Sequence, residues 1–326
     1  MPSRSIPHEA TTVHFDHIRS VGSTQNMKLL GGAFWMGEDG SQSRLEDGEG
    51  PVRRVEITPF YLDVTAVTNT QFGEFITATG YVSEAERFGW SYVFHRHVSV
   101  KLKESSRGVA GGASWWIGVE GANWQRPEGP GSNIKKRADH PVVHISWNDA
   151  QAFCGWAGKR LPTEAEWEFA ARGGLERKLY GWGDELMPPG KNGKPEHRCN
   201  IWQGKFPDFN TSADGFDGTA PVRSFRPNAY GFYQMSGNVW EWCQDGWTTH
   251  HENAVHEAPL IDPTHLANDA QKVIRGGSFL CHASYCNRYR VAARTTNTSD
   301  STTAHCGFRC AMSVTANQPL SRRRRL

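Results

Sequence analysis

The apolar positions of this chain seldom fall into long periodic runs. Where a pattern is present it is short and bounded by glycine. Leu29-Leu30-Gly31-Gly32-Ala33-Phe34-Trp35-Met36-Gly37 reads as strand, glycine turn, strand. Residues 38–51 are acidic and glycine-rich, a loop, and the alternation Val55-Glu56-Ile57 within Val52 to Leu62 predicts another strand. Thr68-Asn69-Thr70-Gln71 has the form of a capping box; Phe72, Phe75 and Ile76 follow at helical spacing and Gly80 closes the helix. Residues 96–114 read as a low-hydrophobicity insertion, after which Trp115-Trp116 and Trp124 lie between glycine turns. Ser146-Trp147-Asn148-Asp149 opens a second helix, with Ala150, Phe153 and Ala157 inward and Gly158 as the stop. Thr163-Glu164-Ala165-Glu166 opens a third, with Trp167, Ala170 and Ala171 inward and Gly173 as the stop. Turns, glycines, prolines and aromatics fill the rest until a strand near Val273. No repeat and no Pro/Ser-rich linker divides the chain. One large domain over 27–314 is expected, with a loose leader over 1–26 and a short basic tail over 315–326.

Composition sharpens this picture. Among 326 residues, 34 glycines, 17 prolines and 13 tryptophans point to a loop-rich α/β (α+β) domain with little regular structure, not a helical bundle. A net charge of +2 provides no global field for nucleic acid or an anionic membrane. No run of 18 apolar residues is present to span a bilayer. The N-terminus lacks the apolar stretch of a secretory signal, so a cytoplasmic protein is expected as the chain stands, or a secretory-pathway one if a signal has been removed.

Seven cysteines, 154, 199, 243, 281, 286, 306 and 310, leave at least one unpaired within the chain, and none falls in a Cys-x-x-Cys. Cys281 and Cys286, in RGGSFLCHASYCNRYR, fit a tight disulfide, a soft-metal site favouring Cu(I), or a reactive pair tuned by His282 and Tyr285. Asn200, Asp214 and Asp217 lie among glycines, as hard oxygen ligands for Ca²⁺ or as ordinary Asx turns. Gln234, Gly237, Asn238 and Glu241 form a second oxygen-rich cluster of the same kind. His140 and His144 share a strand face, either as metal ligands or, with no third ligand adjacent, as a buried hydrogen-bonded pair. No GxSxG, P-loop or dinucleotide fingerprint is present.

In order along the chain stand GGAFWMG, EDGEGPVRRV, TGYVSEAERFGWSYVF, GANWQRPEGPGS, DHPVVHISWNDAQAFCGWAGKRLPTEAEWEFAARGG, CNIWQGKFP, SGNVWEW and RGGSFLCHASYCNRYRVAAR…GFRC. From about Leu29 to Ala311 this series resembles the formylglycine-generating enzyme family. The resemblance implies one compact domain, distantly C-type-lectin-like. It implies oxidation of the cysteine in a sulfatase Cys-x-Pro-x-Arg motif to Cα-formylglycine, with O₂ and an external thiol reductant, by a protein expected to be monomeric.

Residue by residue, the resemblance implies Cu(I) on Cys281 and Cys286, with Ser278, Tyr285 and Trp240 at the copper pocket. Trp90, Trp115, Trp116, His282 and Arg288 would serve substrate binding. It implies one structural Ca²⁺ at Asn200, Asp214 and the backbone of Ile201 and Phe216. A second would sit at Gln234, Glu241 and the backbone of Gly237 and Val239, with Gln234 where the family often has Asn. It implies a Cys154–Cys310 disulfide. The positions of a second bridge found in animal members are Ala171 and Val291 here, and Cys306 is a departure just before GFRC. Five unbridged cysteines fit a reducing compartment. The alternative from the same superfamily is a non-catalytic, calcium-stabilised lectin-like module that binds peptide or glycan. An iron-dependent sulfoxide synthase would need a helical domain for which the leader, with His8, His14 and His17, is too short.

Overall fold

A computed structural model of the chain describes residues 27–249 and 271–314. The expected leader and basic tail lie outside these residues. In chain order the elements are β1 (Met27–Met36), β2 (Arg53–Asp63), α1 (Asn69–Thr79), α2 (Glu84–Phe88), β3 (Trp90–Phe94), α3 (Val100–Glu104), β4 (Val109–Ala110) and β5 (Ala113–Glu120). Then come α4 (Trp147–Trp156), α5 (Glu164–Arg172), β6 (Gly204–Lys205), β7 (Phe209–Asn210), β8 (Trp240–Gly246), β9 (Gln271–Arg275), β10 (Arg294–Thr298), β11 (Cys306–Gly307) and β12 (Ala311–Ser313). The strands form three small sheets, ordered β1-β2-β12, β10-β9-β8-β11 and β3-β5-β4, and a β6-β7 hairpin. No helix among the described residues is long and apolar enough to cross a membrane.

The capping boxes read from sequence are present. Thr68 Oγ1 accepts the Gln71 N–H at 3.3 Å while Gln71 Oε1 accepts the Thr68 N–H at 2.8 Å, and Gly80 closes α1 with φ 66°. Ser146 with Asp149 and Thr163 with Glu166 start α4 and α5 in the same way. Three readings change. The expected strand-turn-strand at 29–37 is a single strand, because β2 offers an unbroken partner; Gly31-Gly32 only shifts the register as a bulge. A side chain at Gly31 would put its Cβ 3.1 Å from the Cα of Pro59. The 96–114 insertion holds α3, capped by the Ser99 hydroxyl, and β4. Helix α4 ends at Trp156, with Ala157 as its cap, one residue short of the expected Gly158 stop.

Helix α5 departs furthest from a surface helix. All nine of its residues are buried, including Glu164, Glu166, Glu168 and Arg172. Buried carboxylates persist only when paired. Arg275 from β9 and Arg294 from β10 reach Glu164 at 3.1 and 2.6 Å. Arg172 reaches Glu168 at 2.6 Å, Arg275 also pairs with Glu168, and Glu168 accepts the Gly37 N–H at 2.8 Å. One helix thereby ties the end of β1 to the β8-β9-β10 sheet. Arg309 grips Glu241 of β8 through two bonds at 2.6 and 2.8 Å, docking the segment after β11 on the same sheet.

The network has a pH signature. Burial alone would raise the Glu164 carboxyl, but Arg294 and Arg275 hold it down at about 2. Its contribution is therefore present above the unfolded value near 4.5 and is lost as pH falls through about 2. Asp149 opposes it: burial pushes its carboxyl up to about 7, so ionising it as pH rises from about 4 towards 7 costs stability. Glu164→Gln should lower Tm at pH 7 and flatten the fall in Tm between pH 4.5 and 2; an acid limb as steep as that of the wild type would contradict the assignment.

Candidate active site

Strand β9 delivers Arg275 into the ion network, and Gly276-Gly277 then turns the chain sharply, with φ 92° and 71°. A Cβ on Gly277 would lie 2.7 Å from the Arg288 carbonyl, so only glycine lets the two arms of the following loop close. Ser278 begins a turn: its carbonyl accepts the Cys281 N–H at 2.9 Å and its N–H points at Cys281 Sγ at 3.4 Å. A second turn gathers on the His282 carbonyl, which accepts the N–H groups of Tyr285, Cys286 and Asn287 at 3.0, 3.0 and 3.1 Å. These turns fold Cys286 back beside Cys281.

The two thiols adjoin in one cavity, close enough that each shifts the other's proton affinity. The Cys281 S–H, together with backbone groups at Arg288 and His282, holds Cys286 down at about 7, against the upward push of burial. Burial keeps Cys281 well above the ordinary thiol range. The pair thus gives up one proton near neutral pH and keeps the other. It lies in a cavity of about 210 Å³, lined also by Ser278, Trp240, Tyr285, Arg288, Trp115 and Trp116. Tyr285 stacks on Phe206, with centroids 4.4 Å apart at 9°, and meets the Trp115 edge at 5.0 Å. Burial and the two thiols raise the Tyr285 phenol to about 12.

Not every expected residue is here. Trp90 and His282 are absent from the lining. Trp90 pairs with Glu120 at the far end of the β3-β5 ladder, four residues or ~13 Å along from Phe94, which pairs with Trp116. His282 turns its ring away onto Ser284 Oγ, at 2.8 Å. Sequence reasoning missed Phe206, Asn297 and His305, which also line the cavity. His305 lies 4.4 Å from the Trp116 ring, and burial followed by His144 holds it down at about 3, a neutral imidazole. Only the pairing of β11 with β8 reveals it, since Trp240 N–H donates to its carbonyl at 2.9 Å.

The two oxygen clusters meet through a bridge between Asn200 and Gly237. Asn200 spends its amide N–H groups on Gly218 O and Asn238 Oδ1, at 2.8 and 3.0 Å, and leaves Oδ1 buried with no partner. The Asp214 carboxylate accepts the Ile201 and Phe216 N–H groups at 3.0 and 3.2 Å. Gln234 donates to the Pro221 carbonyl at 2.6 Å and likewise leaves Oε1 buried and unpartnered. Uncompensated oxygens of this kind suit a hard cation. Glu241, expected with Gln234, Gly237 and Val239, gives its two oxygens to Arg309 and Trp167. His140 bonds Thr219 Oγ1, while His144 bonds Ser91 Oγ and the Pro127 carbonyl, so both are structural. Among the described residues no three His, Cys, Asp or Glu side chains converge. Cys154 and Cys310, expected as a disulfide, are two thiols 3.5 Å apart, well beyond the ~2.05 Å of an S–S bond. Cys306 is buried and lies outside the cavity lining.

Short sheets on a loop-rich frame, with a buried dithiol under an aromatic rim, describe a C-type-lectin-like fold. Its frame is similar to the solved PvdO of Pseudomonas aeruginosa, with TM-score 0.61 and 24% identity over 88% of this chain and 94% of that one. The chain belongs to the sulfatase-modifying factor enzyme 1-like family, whose domain matches residues 17–314. It is 57% identical to the formylglycine-generating enzyme of Thermomonospora curvata over 87% of this chain and 91% of that protein. It is also 45% identical to a Bos taurus protein named inactive C-alpha-formylglycine-generating enzyme 2, over 89% of each.

Methyl methanethiosulfonate, small enough for the cavity, should modify the apo protein first at Cys286, at a rate that rises with pH about a midpoint near 7. Cys281→Ala removes the donor and should move that midpoint upward. An unmoved midpoint would show that Cys281 is not its cause.

Proposed function

We propose that the protein converts the cysteine of a sulfatase Cys-x-Pro-x-Arg segment to Cα-formylglycine, with O₂ and an external thiol. The observation that carries this reading is the adjoining thiol pair lining an aromatic cavity of about 210 Å³. Family membership and the name of the T. curvata relative support it. In the balanced reaction one oxygen atom becomes the aldehyde oxygen and the substrate sulfur leaves as H₂S. Two reductant thiols join as a disulfide, and the second oxygen atom becomes water.

Cys281 and Cys286 would hold Cu(I), since two adjoining soft sulfurs, one of them a thiolate near neutral pH, match that ion. Bound there, copper supplies the O₂ chemistry that protein side chains lack. The remaining work belongs to the chain. Trp115, Tyr285 and Phe206 form a rim that receives the substrate cysteine and excludes water. Trp240 and Trp116 wall the interior, while Ser278 fixes Cys281 through its turn. Structural Ca²⁺ would complete the unpartnered oxygens of Asn200 and Gln234.

A second reading, a calcium-stabilised module that binds peptide or glycan without chemistry, is favoured by the bovine relative named inactive. Both readings are separated by one assay. A Cys-x-Pro-x-Arg peptide incubated with copper-loaded protein, O₂ and a thiol should lose about 18 Da, as CH₂SH becomes CHO. Cys281→Ala and Cys286→Ala should each abolish the loss. An unchanged peptide mass with the loaded wild type would leave only the binding module. Saturating Ca²⁺ should raise Tm by several degrees, on the scale of about 3 kcal/mol at a hundredfold excess over Kd. Asn200→Ala should shrink that rise, and a rise of full size would remove Asn200 from the calcium ligands.

A further inference from the structure

The acidic loop 42–49 lies far from the cysteine pair in sequence, yet it grips the segment that follows the pair at four points. Gln42 Oε1 accepts from Asn287 at 3.1 Å. Asp47 takes Arg288 with two bonds, Nε at 2.7 Å and Nη2 at 3.0 Å. Glu49 takes Arg290 with two more, both 2.7 Å. The Asp47 carbonyl accepts from Arg294 at 3.1 Å. The Glu49–Arg290 pair is wholly buried and structural, but the Asp47–Arg288 pair opens onto the cavity, where Arg288 lines the same wall as Cys286.

We propose that Asp47 is a positioning residue that holds the Arg288 guanidinium at the cavity wall, where its free Nη1 donates to a main-chain carbonyl of the substrate peptide. This rests on the reading of the site given above. Two of the three guanidinium nitrogens are bound by Asp47, and Nη1 has no partner among the described residues. The rest of the cavity offers mainly rings, hydroxyls and one amide, so Arg288 is its single cation among the described residues and its strongest donor. A bidentate carboxylate fixes the plane of a guanidinium, and an unbound one would swing towards solvent at the loss of that direction. The EDGEG segment thereby acquires a role at the site: its aspartate aims a binding group, while its neighbours secure the loop that carries the thiols.

The test uses the full chain and a Cys-x-Pro-x-Arg peptide whose cysteine is replaced by serine, with affinity read by fluorescence anisotropy without copper. Turnover of the cysteine peptide by the loaded enzyme runs in parallel. Asp47→Asn should weaken binding by roughly tenfold and raise KM to match, with kcat within about twofold. Glu46→Gln, on an exposed neighbour of the same loop, should change neither. The charge-exchanged double variant D47R/R288D should recover the unfolding midpoint, because the pair is restored, but not the affinity, because the guanidinium now stands on the wrong side. Wild-type affinity in Asp47→Asn, or affinity regained in the exchanged variant, would overturn the inference while turnover by the wild type keeps the functional reading intact. A wild type that neither binds nor converts the peptides would overturn both.

Discussion

The structure depends on keeping three carboxylates charged inside one short helix. Glu164, Glu166 and Glu168 of α5 are all buried, and each is answered by arginine: Arg294 and Arg275, Arg160, and Arg172 with Arg275. Removing one partner from such a set leaves an uncompensated charge, a loss of about 3–5 kcal/mol. The pairing therefore specifies where β9 and β10 must lie relative to α5. A sheet shifted by one residue would turn Arg275 to the wrong face.

That placement is what the dithiol inherits. Arg275 is the last residue of β9, and the thiol loop begins two glycines later. Its first arm is secured by the ion network and its second by the acidic 42–49 loop through Arg288, Arg290 and Arg294. Between these anchors, two turns of backbone hydrogen bonds bring Cys281 and Cys286 together. A neighbouring thiol as donor, with backbone groups at Arg288 and His282, lowers Cys286 although burial opposes it. The oxygen clusters at Asn200 and Gln234 brace the same loop from behind, because the Asn238 carbonyl accepts the Phe279 N–H at 3.0 Å.

Helix starts were legible in the sequence because a capping box is a local exchange between residues three apart. Thr68, Ser146 and Thr163 needed nothing from elsewhere in the chain. The Gly31-Gly32 turn was misread because its outcome rests on β2, some twenty-five residues on, which keeps the strand whole. At the site, the thiol pair, Ser278, Tyr285, Trp240 and Arg288 were named from neighbouring motifs and share one cavity. Trp90 belonged to an equally distinctive motif but lies at the other end of its ladder. Motif membership carries no information on distance along a sheet. Phe206 stands in the CNIWQGKFP motif and His305 in none of them, and nothing local tied either to the thiols, since they reach the cavity through a loop packing and a parallel strand pairing.

By itself the sequence determined the short elements, their caps, the turn-rich character and the identity of the soft sulfur pair, because each rests on side chains within a few positions of one another. Tertiary structure alone decided that α5 is buried on every side, that the EDGEG loop meets the arginines after the thiols, and that an aromatic rim from three separate segments closes over them. The physical reason is the same in each case. Desolvated charges and stacked rings are stable only with particular partners, and those partners come from distant parts of the chain that no local pattern connects.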